Sequence, residues 1–318
     1  MKKPLIILTG PTAVGKTALS IRLARLVGGE IISADSMQVY RGMDIGSAKI
    51  RKEEMEEIPH YLIDVLEPEE EFHVVRFTEM VKEAMEQIYA NGHIPILTGG
   101  TGFYIQAVLY DIDFTENGED TSYRESLEAL AEEKGAEHLH EMLKKVDPVS
   151  AEQIHANNVK RVIRALEYYK ETGEPISVHN QREREKVSPY NSAYFVLNAP
   201  RPLLYERIEK RVDQMLEEGL VAEVQSLKDQ GCTRELVSMQ GLGYKEILAY
   251  LDGEISLEEA VYILKRDTRH FAKRQITWFK REREVIWVEK DAFDYDDDRI
   301  LAYMESVLKE KGIIESER

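Results

Sequence analysis

Residues 10–17 read GPTAVGKT and match the pattern G-x-x-x-x-G-K-[ST] in full. Glycines in such a loop let the backbone curl until several N–H groups and a helix N-terminus face one anion. Lys16 is placed to neutralise phosphate oxygens, and the Thr17 hydroxyl is the expected ligand of Mg²⁺. Gly10, Pro11, Thr12, Ala13, Val14, Gly15, Lys16 and Thr17 are therefore the expected cradle for phosphates. The loop does not say what the phosphates are attached to. It serves ATPases, GTPases, small-molecule kinases and enzymes for which diphosphate is only a leaving group. No N-K-x-D sequence for reading guanine is present, and the apolar run IPILT ends in GGTG rather than in an acid. The candidates for a carboxylate at a strand end are Asp35, after IISA, and Asp64, after YLI.

The richest stretch is SADSMQVYRGMDIGSAK, residues 33–49. Asp35 is expected at the carboxyl end of a strand next to the phosphate loop, where ligands bind in open α/β sheets. A carboxylate there can take a proton from a group attacking the phosphate-bearing substrate. Gln38 is a residue type that pairs two-pronged with an adenine edge. Ser36 adds a hydroxyl and alone reads as a turn residue.

These residues need a scaffold. Leu5–Leu8 reads as a buried strand, then comes the loop, then a helix with Leu19, Leu23, Ala24 and Val27 at helical spacing. Further buried strands are expected at Glu30–Ser33, Tyr61–Val65 and Ile94–Leu97, separated by helical sequence such as Val75–Ala90. That alternation predicts an α/β fold, a P-loop NTPase-like core with a parallel sheet flanked by helices. From about Thr115 to Ser188 strand signals vanish, which predicts a mostly helical insertion domain over 116–188 within a core formed by 1–115 and 189–318. A strand returns at SAYFVLNAPR. Amphipathic helices follow over Pro202–Gln230 and Leu257–Arg283, then a short strand at Val285–Val288 and an acidic tail.

Composition sets outer bounds. The 318 residues can bury a sizeable core, and one cysteine, Cys232, excludes an intrachain disulfide. The opening MKKPLIILTG reads as a strand rather than a secretory signal, and no run reaches the roughly 18 apolar residues of a membrane span. A cytoplasmic protein without a membrane partner is expected, as a monomer, since nothing resembles a coiled coil. The formal charge of −17 argues against nucleic acid, but residues 264–283, LKRDTRHFAKRQITWFKRER, hold eight Lys/Arg against two acids.

Seven blocks in order, GPTAVGKT, SADSMQVYRGMDIGSAK, ILTGGTGFYIQA, NNVKRVIRALE, LYERIEKRVDQMLEEGL, GLGYKE and AKRQITWFKR, together resemble the tRNA dimethylallyltransferase family, also called tRNA isopentenyltransferases, in its bacterial form. The resemblance implies transfer of a dimethylallyl group from dimethylallyl diphosphate to N6 of the adenosine immediately 3′ of the anticodon, in tRNAs reading codons that begin with U. It makes Asp35 the general base and Thr101 a contact to the same base, with Ser36, Met37 and Gln38 lining the channel that receives the flipped adenine. Lys16, the loop N–H groups and Mg²⁺ on Thr17 would take the charge of the departing diphosphate. One of Arg207 and Arg211, at i and i+4 on one helix, would assist. Contacts to tRNA are implied for Arg124, Lys160, Arg161 and Arg164, for Gln240, Gly243, Tyr244 and Lys245, and for Lys273, Arg274, Gln275, Trp278, Lys280 and Arg281.

Two other readings stay open on sequence. In one, a small-molecule kinase, the loop binds ATP, Asp35 deprotonates an acceptor hydroxyl and 116–188 form a lid. In the other, the loop is vestigial in an RNA-binding protein without activity.

Overall fold

The first strand, β1 (Pro4–Thr9), is a run of apolar residues buried on both faces, which in a parallel sheet marks an interior strand. It feeds the phosphate loop and helix α1 (Lys16–Val27), whose Leu19, Leu23 and Ala24 pack inward and whose end is set by Gly28 in the left-handed region. The computed structural model describes residues 2–114 and 122–315. Along the chain follow β2 (Gly29–Ala34), β3 (His60–Tyr61), α2 (Val74–Ala90), β4 (Ile94–Gly99) and α3 (Gly102–Leu109). Then come α4 (Ser122–Lys134), α5 (Ala136–Val146), α6 (Pro148–Gln153), α7 (Val159–Thr172) and α8 (Ile176–Glu185). The chain returns through β5 (Asn191–Asn198), α9 (Arg201–Glu218), α10 (Leu220–Asp229), α11 (Tyr244–Leu251), α12 (Leu257–Phe279), β6 (Val285–Glu289) and α13 (Asp297–Glu310).

The six strands form one parallel sheet in the order β3-β2-β4-β1-β5-β6. Register brings the ends of four strands level: Thr9 lies beside Gly99 on one side and Val196 on the other, and Gly99 lies beside Ala34. The phosphate loop, Asp35, Gly100 and the residues after β5 and β6 thus all emerge at the carboxyl edge.

Two units divide the chain. One comprises Met1–Leu109 with Ser188–Arg318 and contains the sheet; the other comprises Tyr110–Val187 and contains α4 to α8. The expected boundary at 115/116 lies outside the described residues. The helical unit has its own core of Leu127, Leu139, Leu143, Val162, Ile163 and Leu166. Its buried Asp147 caps α6 through Ser150 and also accepts from the backbone N–H and hydroxyl of Ser177. Among the described residues no helix is long and apolar enough to cross a membrane.

One expectation is corrected. Tyr61–Val65 is not a strand beyond Tyr61, because Leu62 and Asp64 take left-handed φ of 62° and 54°. Asp64 accepts from the Arg41 side chain at its carbonyl and from Lys49 at its carboxylate, and Val65 N–H bonds Val39. That carboxylate is therefore used in an ion pair with Lys49, not at a strand end facing phosphates. The acidic stretch after β6 opens α13, which Asp296 caps by accepting from the N–H groups of Asp298 and Arg299.

Candidate active site and nucleic-acid interface

The loop between β1 and α1 is shaped by left-handed turns at Ala13 (φ 64°) and Gly15 (φ 95°), an alternation that points successive N–H groups to one side. Gly10 has no room for a side chain, since a Cβ there would come within 2.4 Å of the Leu197 carbonyl oxygen. The Lys16 ammonium donates to the carbonyls of Gly10 (3.0 Å) and Pro11 (2.9 Å), fixing the loop around itself. Burial and then the neighbouring Arg211 guanidinium push its pKa down to about 8, while Asp35 opposes them.

Asp35 leaves the end of β2 as a turn: its Oδ1 accepts from the N–H groups of Met37 (2.9 Å) and Gln38 (3.4 Å). Burial lowers the Arg211 pKa, and Asp35 acts against that shift. Lys16, Asp35 and Arg211 therefore form one electrostatic group, two cations and one carboxylate. Arg207, one turn earlier on α9, instead faces the Tyr295 ring, 6.0 Å from its centroid. Thr101 N–H donates to the Ala34 carbonyl (3.3 Å), which sets Thr101 beside the residue preceding Asp35.

The Thr17 side chain is exposed in the first turn of α1 and takes no hydrogen bond among the described residues. No group of three His, Cys, Asp or Glu that could hold a metal occurs among them. One free hydroxyl at a phosphate loop suits a Mg²⁺ ion whose other ligands are substrate phosphates and water.

Several residues expected to touch nucleic acid sit elsewhere. Gln275 is 6% exposed, and its amide stitches two loops together, accepting from Thr12 N–H (2.9 Å) and donating to the Gly100 carbonyl (3.0 Å). Tyr244 is fully buried, with its hydroxyl on Glu223 (2.8 Å). Gln38 faces inward, accepting from Ser33 and reaching the carbonyls of Ser47 and Ala48. The Tyr244 hydroxyl and the Gln275 amide are matched inside the fold and buried, whereas Gln38 is half-buried and its amide nitrogen makes only long contacts of 3.5 and 3.4 Å. Met37 packs on Gly241, where a Cβ would come within 2.4 Å of its methyl, and Ser36 lies half-buried beside it in sequence. Gln240 is exposed and donates to the Arg234 carbonyl, Gly243 N–H donates to Glu246, and Lys245 lies 3.6 Å from the Glu246 carboxylate.

The outer face of α12 differs. His270, Lys273, Arg274, Thr277, Trp278 and Arg281 line an open groove of about 460 Å³. Their spacing of three and four residues puts them on one face. Phe103, 41% exposed, meets Trp278 edge to face with centroids 6.1 Å apart, and Lys280 is exposed at the helix end. Charge beside an exposed Phe103 and a half-buried Trp278 suits a single-stranded nucleic acid. Beside it, burial pushes the Glu282 pKa up to about 7, against the hydrogen bond from Gln106. In the helical unit, Lys160 and Arg161 are exposed on α7 and Arg164 is half-buried. Arg124 is held by a two-pronged pair with Glu167 (2.9 and 3.0 Å).

Residues 38–282 match the family model described as IPP transferase. The chain belongs to the IPP transferase family. It is 66% identical over 313 residues to a tRNA dimethylallyltransferase of Lachnoclostridium phytofermentans, covering 98% of this chain and 99% of that one. Among solved structures it is similar to a tRNA isopentenylpyrophosphate transferase of Bacillus halodurans, at 45% identity over 98% of both chains and a TM-score of 0.73. It is also similar to a eukaryotic dimethylallyltransferase acting on tRNA, at 29% identity over 99% of this chain and 82% of that one, with a TM-score of 0.83.

Two features of this family member escaped the motif reading. Glu223 accepts from the N–H groups of Asp44, Ile45 and Gly46 and from Tyr244, anchoring the loop that continues from Asp35. No pattern marks such a long-range anchor in sequence. Lys290 lies against the phosphate loop, its ammonium 3.3 Å from where a Gly15 Cβ would be. The strand-end rule that picked out Asp35 applies to it too, since it directly follows β6.

Proposed function

We propose that this protein transfers a dimethylallyl group from dimethylallyl diphosphate to N6 of the adenosine immediately 3′ of the anticodon of tRNAs reading codons that begin with U. The observation that carries the reading is the grouping of Lys16, Arg211 and Asp35 at one phosphate loop. Two cations suit a departing diphosphate, and a carboxylate suits the proton that must leave the attacking amine.

The N6 amine is a weak nucleophile because its lone pair is delocalised into the ring. As its nitrogen bonds C1 of the allylic chain, the C1–O bond breaks and the electron pair leaves with the diphosphate. The proton released from N6 passes to Asp35, whose Oδ1 is fixed by two backbone N–H groups. Negative charge gathering on the leaving oxygens is met by the loop N–H groups, Lys16 and Arg211. Mg²⁺ on Thr17, carried in with the diphosphate, would supply further charge neutralisation. The adenine must leave the anticodon-loop stack to reach Asp35, with Thr101 beside it. Lys273, Arg274, Lys280 and Arg281, exposed to solvent, would meet phosphates, and the exposed cations of α7 would add a second set.

The test offers the purified protein unmodified tRNA and Mg²⁺ with labelled dimethylallyl diphosphate, or with γ-labelled ATP. Label on tRNA from the prenyl donor alone supports the reading. Transfer of the γ-phosphate to a small acceptor would replace it with the kinase.

A further inference from the structure

Lys290 is 6% exposed, opens the 3₁₀ turn Lys290–Phe293 at the carboxyl end of β6, and donates to Asp297 (2.9 Å) in the first turn of α13. Its ammonium stands at Gly15, the residue that caps the N-terminus of α1. A helix N-terminus carries partial positive charge and stabilises anions, so a buried ammonium is electrostatically misplaced there. Lys16 and Arg211 already crowd the same loop with positive charge. Structural need does not account for a third cation, since a neutral side chain could satisfy Asp297 at this place with less desolvation. The arrangement becomes favourable once a multiply charged anion occupies the loop. Asp297, which is partly exposed, holds the lysine in position, and it is the one acceptor among the described residues for an ammonium with three N–H donors.

We propose that Lys290 is a diphosphate-binding residue, reaching the allylic diphosphate from the β6 side of the loop alongside Lys16 of α1 and Arg211 of α9. This rests on the reading that the loop binds that diphosphate. The position also bears on specificity: a lysine pinned across Gly15 favours a compact diphosphate and puts a positive charge, not a base-stacking surface, at this flank of the loop.

The test measures binding of inorganic diphosphate with Mg²⁺ by calorimetry to the full chain and to Lys290→Met, Lys290→Arg, Lys290→Gln and Lys16→Met. The expected result is a roughly tenfold weaker Kd for Lys290→Met, in the range of one lost charge-assisted contact, recovered in part by Lys290→Arg. In turnover assays the KM for dimethylallyl diphosphate and the Ki of product diphosphate should rise together, with KM for tRNA unchanged. Lys290→Gln keeps a hydrogen bond to Asp297 without the charge and carries the same comparison if the methionine variant fails to fold. Diphosphate binding to Lys290→Gln as tight as to the parent chain, with Lys16→Met much weaker, would overturn the proposal. Failure of the parent chain itself to bind diphosphate would instead remove the reading on which it rests.

Discussion

Two sets of positive charge in the sheet-bearing unit are built on opposite principles. At the phosphate loop Lys16, Arg211 and Lys290 are withdrawn from water and fixed by carbonyls and carboxylates, and Arg211 stands close enough to lower the Lys16 pKa while Asp35 opposes the downward shift of both. On α12 and just past its end, Lys273, Arg274 and Arg281 stand in solvent along an open groove. Desolvated cations act strongly on a small anion at short range. Solvated cations act additively on a polyanion and are screened within about 10 Å at 0.1 M salt. The net charge of −17 is therefore compatible with RNA: what counts is the sign of the face that meets phosphates, not the sum. Helix α12 joins both sets, with Gln275 on its buried side linking the phosphate loop to Gly100.

Substitutions can break this contrast at each level. Asp35→Asn should lower turnover by roughly 10²–10⁴ while leaving tRNA affinity within a factor of about two, measured by single-turnover kinetics beside filter binding; an unchanged rate would exclude Asp35 as the base. Lys16→Met should reduce kcat/KM for the prenyl donor by about 10²–10³, the scale of a lost charge-stabilising donor, again without weakening tRNA. Gln275→Leu leaves the Thr12 N–H and the Gly100 carbonyl without partners, and about 1–3 kcal/mol of stability should be lost, read as a lower denaturation midpoint. Lys273→Ala and Arg274→Ala should each weaken tRNA only several-fold and reduce the salt slope of log K by about one, with calorimetric diphosphate binding unaltered. Loss of diphosphate binding in those variants would show that the two sets are not separable.

A titration sharpens the same difference. Lys16 in the folded chain releases its proton near pH 8, below its ordinary value, so between about 8 and its unfolded pKa near 10.5 the unfolded chain binds more protons. Stability from this group therefore rises with pH across that window. Diphosphate affinity moves the other way, falling as pH passes 8 in the parent chain and staying flat there in Lys16→Arg.

The fold was legible where a pattern is local. Apolar runs marked β1, β2, β4 and β5, and the Gly-Lys-Thr loop marked the start of α1. The strand after His60 was misjudged because Leu62 and Asp64 follow the demands of Arg41, Lys49 and Val39, partners that no short window contains. Likewise the residue types around the site were visible, but the direction of a side chain was not. Gln38, Tyr244 and Gln275 looked like polar groups for a ligand, yet each completes a hydrogen bond inside the fold. Arg207 and Arg211 were equivalent in spacing until α9 turned one toward Tyr295 and the other toward Ala48.

The strand order sets a timetable for biosynthesis. β1 is made first but lies between β4 and β5, with Pro4 paired to Asn191. At ribosomal rates of about 5–20 residues per second, roughly 10–40 s pass before that second edge is covered. Through that interval a largely apolar strand has an open hydrogen-bonding edge, the feature that templates misassembly. The helical unit is encoded inside that gap and has a core of its own, so it can fold while this edge of β1 still awaits β5.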